Sequence, residues 1–522
     1  MGIHIPCTDN PKAQLEKPKK LLEIASRNQI QEQYESYLCD ESRLPPGIAD
    51  RLIFPFSEDQ ISEILQQGYT KNEPVTVSGA RTGLVGGGIP EGGILISTEK
   101  MDQQLDLTVG NDHAAVTVQP GLVLQTLNAN LRQSAPSWFY PPDPTEKTAS
   151  IGGNAATNAS GGRSYRYGPT RNFILGLRII LCDGTPLSIK RGKYTIESGK
   201  MYTISGLKTD FTFQIPGLDN TSIKNTAGYF IRPRMDLIDL FIGSEGTLGI
   251  ITEIELSLLK KKETDFAAIA FFRSEEEAVE FVIKVRAWPG EPAPTSLEYF
   301  DKRSLDLLRD RRREEGVNSE IPEIPSSAQA AIFFEHECRE DELDSIFSYY
   351  DHCLLTSGTS MNETWGGFNE NEIGELNQFR HAVPETVNSI IAQRQKQIRG
   401  LYKISTDFVV SDSCLKPMMR KYKELLEASN LQYVLFGHIG ENHLHANILP
   451  NNEDELQSAK AVYSQLSEAV LEMGGSLSGE HGIGKIKKHL FNRMYSSDEI
   501  TEFLKIKNAF DPNHCLENGV IF

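Results

Sequence analysis

The stretch GHIGENHLHANIL, residues 437–449, holds three of the chain's eleven histidines. Imidazole is the commonest metal side-chain ligand and the usual proton carrier near neutral pH. His438, His443 and His445 could therefore surround a cation, relay a proton, or sit as ordinary strand residues satisfied by their neighbours. Side chains alternate along a strand, so His443, His445 and Asn447 share one face of HLHAN. His438 has the wrong parity for that face, but the turn-like IGEN between them can re-aim it.

Two glycine clusters are the next candidates, SGARTGLVGGG at 78–88 and SIGGNAATNASGGRSYRYG at 150–168. A Rossmann or P-loop phosphate site needs a strand before the loop and a helix after it. The first cluster follows the strand-like PVTV but runs into another strand, GGILIST, and carries no GK[ST]. Backbone N–H groups in a glycine-rich turn can still make an anion nest without a helix. We read 78–88 as a pyrophosphate cradle of that kind, with a plain glycine-rich hairpin as the competing reading. The second cluster interleaves Gly152, Gly153, Ala155, Ala156, Ala159, Gly161 and Gly162 with Asn154, Thr157 and Asn158. Small residues let backbone approach a flat ligand, while amides and hydroxyls give directed hydrogen bonds.

These candidates must be carried by more than one core, since 522 residues exceed what a single core usually serves. The chain has 53 basic and 71 acidic residues, a net charge of −18, which disfavours nucleic acid and anionic lipid as partners. Seven scattered cysteines without a CxxC argue against a disulfide framework, a cysteine zinc site and an iron–sulfur cluster. MGIHIPCTDN lacks the apolar core of a signal peptide, and Pro6 spoils a myristoylation signal. NFILGLRIILC, broken by Arg178, is too short to span a bilayer. A cytoplasmic protein is expected, with peripheral membrane association left open.

Residues 1–45 read as a polar, partly helical extension. SEDQISEILQQG and LVLQTLNANLRQ have helical periodicity; EPVTVSG, GGILIST, AAVTVQPG and LGLRIILCDGT read as strands. TLGIITEIELSLL ends at the charge run KKKET, after which the texture changes. Four strand-then-helix units follow: DFAAIAFF with SEEEAVEFVIKVRA, QAAIFFEHE with EDELDSIFSYYD, LYKISTDFVV with PMMRKYKELLEAS, and the histidine stretch with DELQSAKAVYSQLSEAVLEMG. That order suggests an α+β sheet with helices packed on it. The segment at about 191–216 reads as a polar insertion without a role in chemistry.

In order, SGARTGLVGG, PPDPTEKTASIGGNAATNASGG, YGPTRNFILGLRIILCDG and FIGSEGTLGIITEIELSL resemble the FAD-binding domain of the vanillyl-alcohol oxidase/p-cresol methylhydroxylase flavoproteins. GHIGENHLHANI, SGEHGIGK and NAFDPNHCLENG resemble the D-2-hydroxyacid dehydrogenase branch. That branch holds D-lactate and D-2-hydroxyglutarate dehydrogenases and the glycolate oxidase flavin subunit. The resemblance implies an α+β fold: a two-subdomain FAD-binding domain over 46–259 and a substrate (cap) domain with an antiparallel sheet over 260–474. Residues 475–522 would return to the FAD domain and complete the active site.

By motif, Ser78, Gly79, Ala80, Arg81, Thr82, Gly83, Gly86 and Gly87 would hold the FAD pyrophosphate. Pro142, Asp143, Thr145, Ser150, Gly152, Gly153, Thr157 and Asn158 would line the flavin and its linker, with Glu245, Gly246, Gly249 and Ile251 near the adenosine end. The family often starts the first loop with Arg and has Gly at the position of Arg81; this chain has Ser78 and Arg81. No histidine lies in that loop, which implies noncovalent FAD.

The resemblance also implies a divalent metal, zinc first, on His438, His445 and Glu480 of SGEHG, with His443 either a further ligand, a supporting donor or a lining residue. His481 matches the general base, and Arg380 and Lys403 would hold the substrate carboxylate. The implied reaction is oxidation of a small D-2-hydroxy acid to the 2-oxo acid, with a separate electron acceptor such as a quinone, an electron-transfer flavoprotein or a cytochrome. The alternatives are a non-catalytic FAD-binding subunit of an oxidase complex and an alkylglycerone-phosphate synthase-like flavoenzyme. A homodimer is one option for the assembly.

Overall fold

The computed structural model describes residues 3–5, 19–288, 290 and 293–522. Six cysteines are described and all are free thiols; Cys7 and Pro6 lie outside the described residues. No helix among the described residues is long and apolar enough to cross a membrane.

The chain forms two compact units, one built from residues 1–160, 169–261 and 480–522, the other from 161–168 and 262–479. In the first, the strands Arg51–Phe54, Ile94–Ser97 and Val75–Ser78 run parallel, with Leu22–Ile24 added antiparallel at one edge. The stretch read as a polar, partly helical extension thus supplies an edge strand as well as the helix Arg27–Gln33. The helix Glu58–Lys71 connects two of the parallel strands. Ser57 caps its start by accepting from Gln60 N, and Asn72 ends it in the left-handed conformation, φ 53°. Ile61, Ile64 and Leu65 on one helix face are buried, as their spacing requires.

A larger sheet holds Pro186–Lys190, Ile174–Ile180, Ile250–Lys260, Ala114–Val118 and Gln104–Val109, in that order and antiparallel throughout. The 191–216 segment is more than a polar excursion. Its strands Met201–Ser205 and Asp210–Gln214 alternate exposed and buried residues, and Phe211 and Phe213 lie against Phe510 of the helix Ser497–Phe510. Period-two alternation in MYTIS and DFTFQ, rather than overall polarity, is the signal that marks this hairpin.

The second unit is built on one antiparallel sheet: Thr364–Gly367, Thr264–Phe272, Ala330–Cys338, Ser296–Asp301, Tyr433–His438, His443–Ile448 and Ile404–Ser405. Phe408–Val409 pairs with the same His443–Ile448 strand. One core packs Ile269, Phe271, Phe300 and Phe333 of the sheet against Phe379, Val383, Val387 and Ile391 of the helix Glu370–Gln397. Ser274, Asn369 and Asn452 cap the helices that follow their strands or turns. The alternating strand and helix order expected after the charge run is therefore observed.

Candidate functional site

In the first unit the two glycine clusters meet. The loop after Val75–Ser78 starts at Gly79, where a Cβ would stand 2.3 Å from Ser150 Oγ. Ser150 Oγ in turn accepts from Gly153 N at 3.2 Å and caps the short helix Ile151–Thr157. Gly152 lies against Pro120, whose Cβ and carbonyl oxygen would be 2.5 and 2.8 Å from an added Cβ. Glycine at 152 is thus demanded by close backbone approach, and glycine at 79 makes room for the Ser150 hydroxyl. Arg81 adopts φ 63° in this loop, where glycine is favoured; its guanidinium lies 4.3 Å from the Tyr37 ring centre and 3.8 Å from Glu99. Those contacts offset the strain of a side chain in the left-handed region.

The turn Ser244-Glu245-Gly246 docks on the same helix: Gly243 N and Glu245 N donate to the carbonyls of Ala155 and Ala156 at 3.0 and 2.8 Å. The carboxylate of Glu245 is buried and accepts from Ile483 N and Gly484 N at 2.8 and 2.7 Å. Glu245 thereby anchors the backbone just after Glu480 and His481. Gly249 packs closely on Ile179 in the large sheet, next to Ile251, which pairs with Ile179. Asp143 is ion-paired to Lys147, and Asn158 ends the short helix while its Oδ1 accepts from Arg171 N at 3.0 Å.

The cradle fits a ligand rich in acceptors. Ser78 Oγ and Asn154 Nδ2 are buried beside the two clusters and have no hydrogen-bond partner among the described residues. Around Gly83 and Gly87 an added Cβ would meet nothing nearer than 3.7 and 4.0 Å, so these backbone positions border open space. Asn154 belongs to this set on its geometry, although only its cluster stood out in the sequence.

Glu480 Oε2 accepts from Ser160 Oγ at 3.0 Å and from Lys224 Nζ at 3.3 Å, and Oε1 lies 3.6 Å from His481 Nε2. Ser160 and Lys224 were not singled out by motif; Lys224 lies in IKNTAGY, just past the hairpin insertion.

The three histidines gather in the second unit. Tyr433–His438 and His443–Ile448 form a hairpin in which His438 pairs with His443 and Phe436 with His445. Directly paired residues project to the same face, so the turn brings His438 onto the face of His443 and His445. Ring centres are 5.5 Å apart for His438–His443, 5.6 Å for His438–His445 and 4.5 Å for His443–His445. Each ring nitrogen that faces the protein meets an acceptor: His438 Nδ1 to Glu298 Oε1 at 2.7 Å, His443 Nε2 to Asp407 Oδ1 at 2.8 Å, and His445 Nδ1 to the Thr406 carbonyl at 3.0 Å. Carboxylates and carbonyls accept, so these nitrogens carry protons, and in the neutral imidazole the opposite nitrogen carries the lone pair. Converging imidazoles whose N–H ends are held this way are the donor set that zinc and its neighbours favour.

Arg380 is buried on the helix Glu370–Gln397, not a surface residue. It donates to Glu298 Oε1 at 3.2 Å, and its guanidinium lies 6.0 Å from the Phe333 ring centre. Gly162 lets it approach, since a Cβ there would fall 2.3 Å from Arg380 Nη2. Lys403 donates to Asn388 at 3.0 Å and precedes the strand Ile404–Ser405, which pairs with Ile448 and Asn447 of the histidine strand. Glu298 and Asp407, which hold the histidines, sit in LEYFD and STDFV without a motif to flag them.

Residues 261–521 match the family described as FAD linked oxidases, C-terminal domain, and residues 49–190 match the FAD binding domain. The chain belongs to the FAD-linked oxidase family. This FAD-linked oxidase is an FAD-dependent oxidoreductase. It is 27% identical to the glycolate oxidase subunit GlcD of Bacillus subtilis, covering 93% of this chain and 92% of that one. With D-lactate dehydrogenase of Archaeoglobus fulgidus it shares 28% identity over 93% and 95% of the two chains. Its fold is that of p-cresol methylhydroxylase, with TM-score 0.68 at 13% identity over 96% and 93% of the two chains. An alkyldihydroxyacetonephosphate synthase is similar in fold, with TM-score 0.63 at 13% identity over 99% and 88%. The α+β architecture with an FAD-binding domain agrees with the expectation from the motifs.

Proposed function

We propose that this FAD-linked oxidase oxidises a small D-2-hydroxy acid to the 2-oxo acid. The observation that carries the reading is the hairpin of three imidazoles held by Glu298, Asp407 and Thr406, with the buried Arg380 on the same Glu298 oxygen. Relatives named D-lactate dehydrogenase and glycolate oxidase subunit support the substrate class.

FAD, held noncovalently on the two glycine clusters, would supply the two-electron acceptor. A divalent cation, zinc by the donor set, would be held by His438, His445 and Glu480 and would supply the positive charge that eases ionisation of a hydroxyl. Glu480 follows Gly479 directly, and Gly479 packs on the His443 ring, where an added Cβ would lie 2.8 Å from Nε2. That covalent link supports Glu480 as the carboxylate ligand.

The chain's own residues would do the rest. Arg380 offers a planar guanidinium for the substrate carboxylate, fixing which face of Cα is presented. His481 would take the 2-hydroxyl proton, and bound FAD would supply the acceptor for the Cα hydride, so that both hydrogens and two electrons are accounted for. A separate quinone, electron-transfer flavoprotein or cytochrome would then reoxidise the flavin.

The test is anaerobic mixing of the FAD-loaded protein with D-lactate, D-2-hydroxyglutarate and glycolate while flavin absorbance is followed. Bleaching by at least one acid is expected. A flavin that stays oxidised with all three would overturn the reading.

A further inference from the structure

The geometry points to a third imidazole in the metal site: His443 is itself a ligand, and Asp407 is the residue that aims it. This rests on the metal reading above and adds to it, since that reading needs only His438, His445 and Glu480.

The first observation is register. His443 stands directly opposite His438 and two residues before His445, so the hairpin cannot present the other two without presenting His443 between them. His438, His443 and His445 each offer one ring nitrogen within 4.8 Å of the others.

The second is orientation. Asp407 Oδ1 accepts from His443 Nε2 at 2.8 Å, which leaves the lone pair on Nδ1. The carboxylate is itself fixed: Oδ2 accepts from Ser478 Oγ at 3.3 Å, and the Asp407 carbonyl accepts from Gly479 N at 2.9 Å. Gly479 also walls the ring, because a Cβ there would stand 2.8 and 2.9 Å from Nε2 and Cε1. A histidine that merely filled space in a sheet would not need its ring held from three sides. A carboxylate behind an imidazole N–H is the arrangement that fixes tautomer and raises basicity in metal ligands.

The third is the donor set. Three imidazole nitrogens converge within 4.8 Å of one another, and His443 is wholly buried. Glu298 and Thr406 impose the same orientation on His438 and His445. A cation bound by three imidazoles is a borderline divalent ion of the zinc, cobalt or nickel class rather than magnesium or calcium.

The test uses the full-length, FAD-loaded protein, stripped of metal with a chelator and reloaded with one equivalent of zinc. X-ray absorption at the zinc edge should count three imidazoles in the unchanged protein. His443→Asn should reduce the count to two and weaken zinc binding by at least about tenfold. Asp407→Asn should keep three imidazoles but weaken binding about 10–100-fold, with FAD content unchanged. Two imidazoles in the unchanged protein would overturn the role of His443 while leaving the metal reading intact. No stoichiometric zinc uptake would overturn the metal reading itself. The count on the unchanged protein decides even if a variant does not fold.

Discussion

One oxygen of Glu298 serves both His438 and Arg380, accepting from His438 Nδ1 at 2.7 Å and from the Arg380 guanidinium at 3.2 Å. The three side chains come from two strands and a helix of the same unit, and Glu298 is only 3% exposed. The imidazole and the guanidinium on which the proposed function relies are therefore set by a single anion. Glu298→Ala should cost about 3–5 kcal/mol in denaturant unfolding, because it removes a buried carboxylate partner from a buried guanidinium. Glu298→Gln should keep most of the stability yet lower kcat/KM for the best 2-hydroxy acid about 10–100-fold. Unchanged kinetics in the glutamine variant would show that the shared contact supports folding alone.

Arg380→Lys tests the carboxylate role. A lysine keeps the charge but not the planar fork, and it cannot reach both Glu298 and a substrate in the same way. The expected result in steady-state kinetics is a KM raised about tenfold or more, with a smaller change in kcat. Equal loss in kcat and kcat/KM would instead place Arg380 in stabilising the transition state.

The glycines divide into two kinds that FAD titration can separate. Gly152→Ala drives a Cβ into Pro120 and should destabilise the protein by about 1–3 kcal/mol, with FAD lost as a consequence. At Gly83 an added Cβ meets nothing nearer than 3.7 Å, so Gly83→Ala should change the stability of the FAD-free protein by less than about 0.5 kcal/mol. A weaker FAD affinity in Gly83→Ala, measured by fluorescence quenching, would then report contact with the cofactor rather than damage to the fold.

Two buried carboxyls give the fold a pH dependence. Burial pushes Glu245 up to about 7 and Glu517 up to about 8, against an ordinary 4.5. Both folded values lie above the unfolded one, so the folded chain holds these protons more tightly. Their stabilising contribution is fully present below about pH 4.5 and is lost as pH rises through 7 and then 8. Thermal melts of the FAD-loaded protein should show a midpoint that falls between about pH 6 and about pH 8.5. Glu517→Gln, which removes one titrating group and keeps the acceptor for Val77 N, should flatten that fall.

Much of this was legible in the residues. The glycine clusters, the charge run before the second unit and the strand–helix alternation all mark local structure, which depends on nearby residues. The histidine hairpin was legible as a cluster but not as a geometry: parity along one strand places His438 on the wrong face, whereas pairing across the hairpin puts it opposite His443. Glu298 and Asp407 were not legible. They reach the histidines through strand register, Tyr299 pairing with Gly437 and Val409 with His443, and no spacing in one segment encodes a partner in another. Arginine is usually exposed, and only packing against Phe333 and Gly162 shows Arg380 buried. Lys403 donates to Asn388, a contact across 15 residues that no motif spacing encodes.

The pairing at the tail has a temporal consequence. Val75 N donates to the Cys515 carbonyl at 2.7 Å, Glu517 N donates to the Val75 carbonyl at 2.9 Å, and Val77 N donates to Glu517, 440 residues away in the chain. The strand that leads into the first glycine-rich loop thus borrows its last neighbours from a segment made about 440 residues later. At ordinary elongation rates that segment emerges roughly 20–90 s after the strand it completes. Until then the loop is tethered at one end to an unfinished sheet, and closing so long a chain segment is slow. The strand Val75–Ser78 therefore gains these neighbours only after the whole of residues 262–479 has been made.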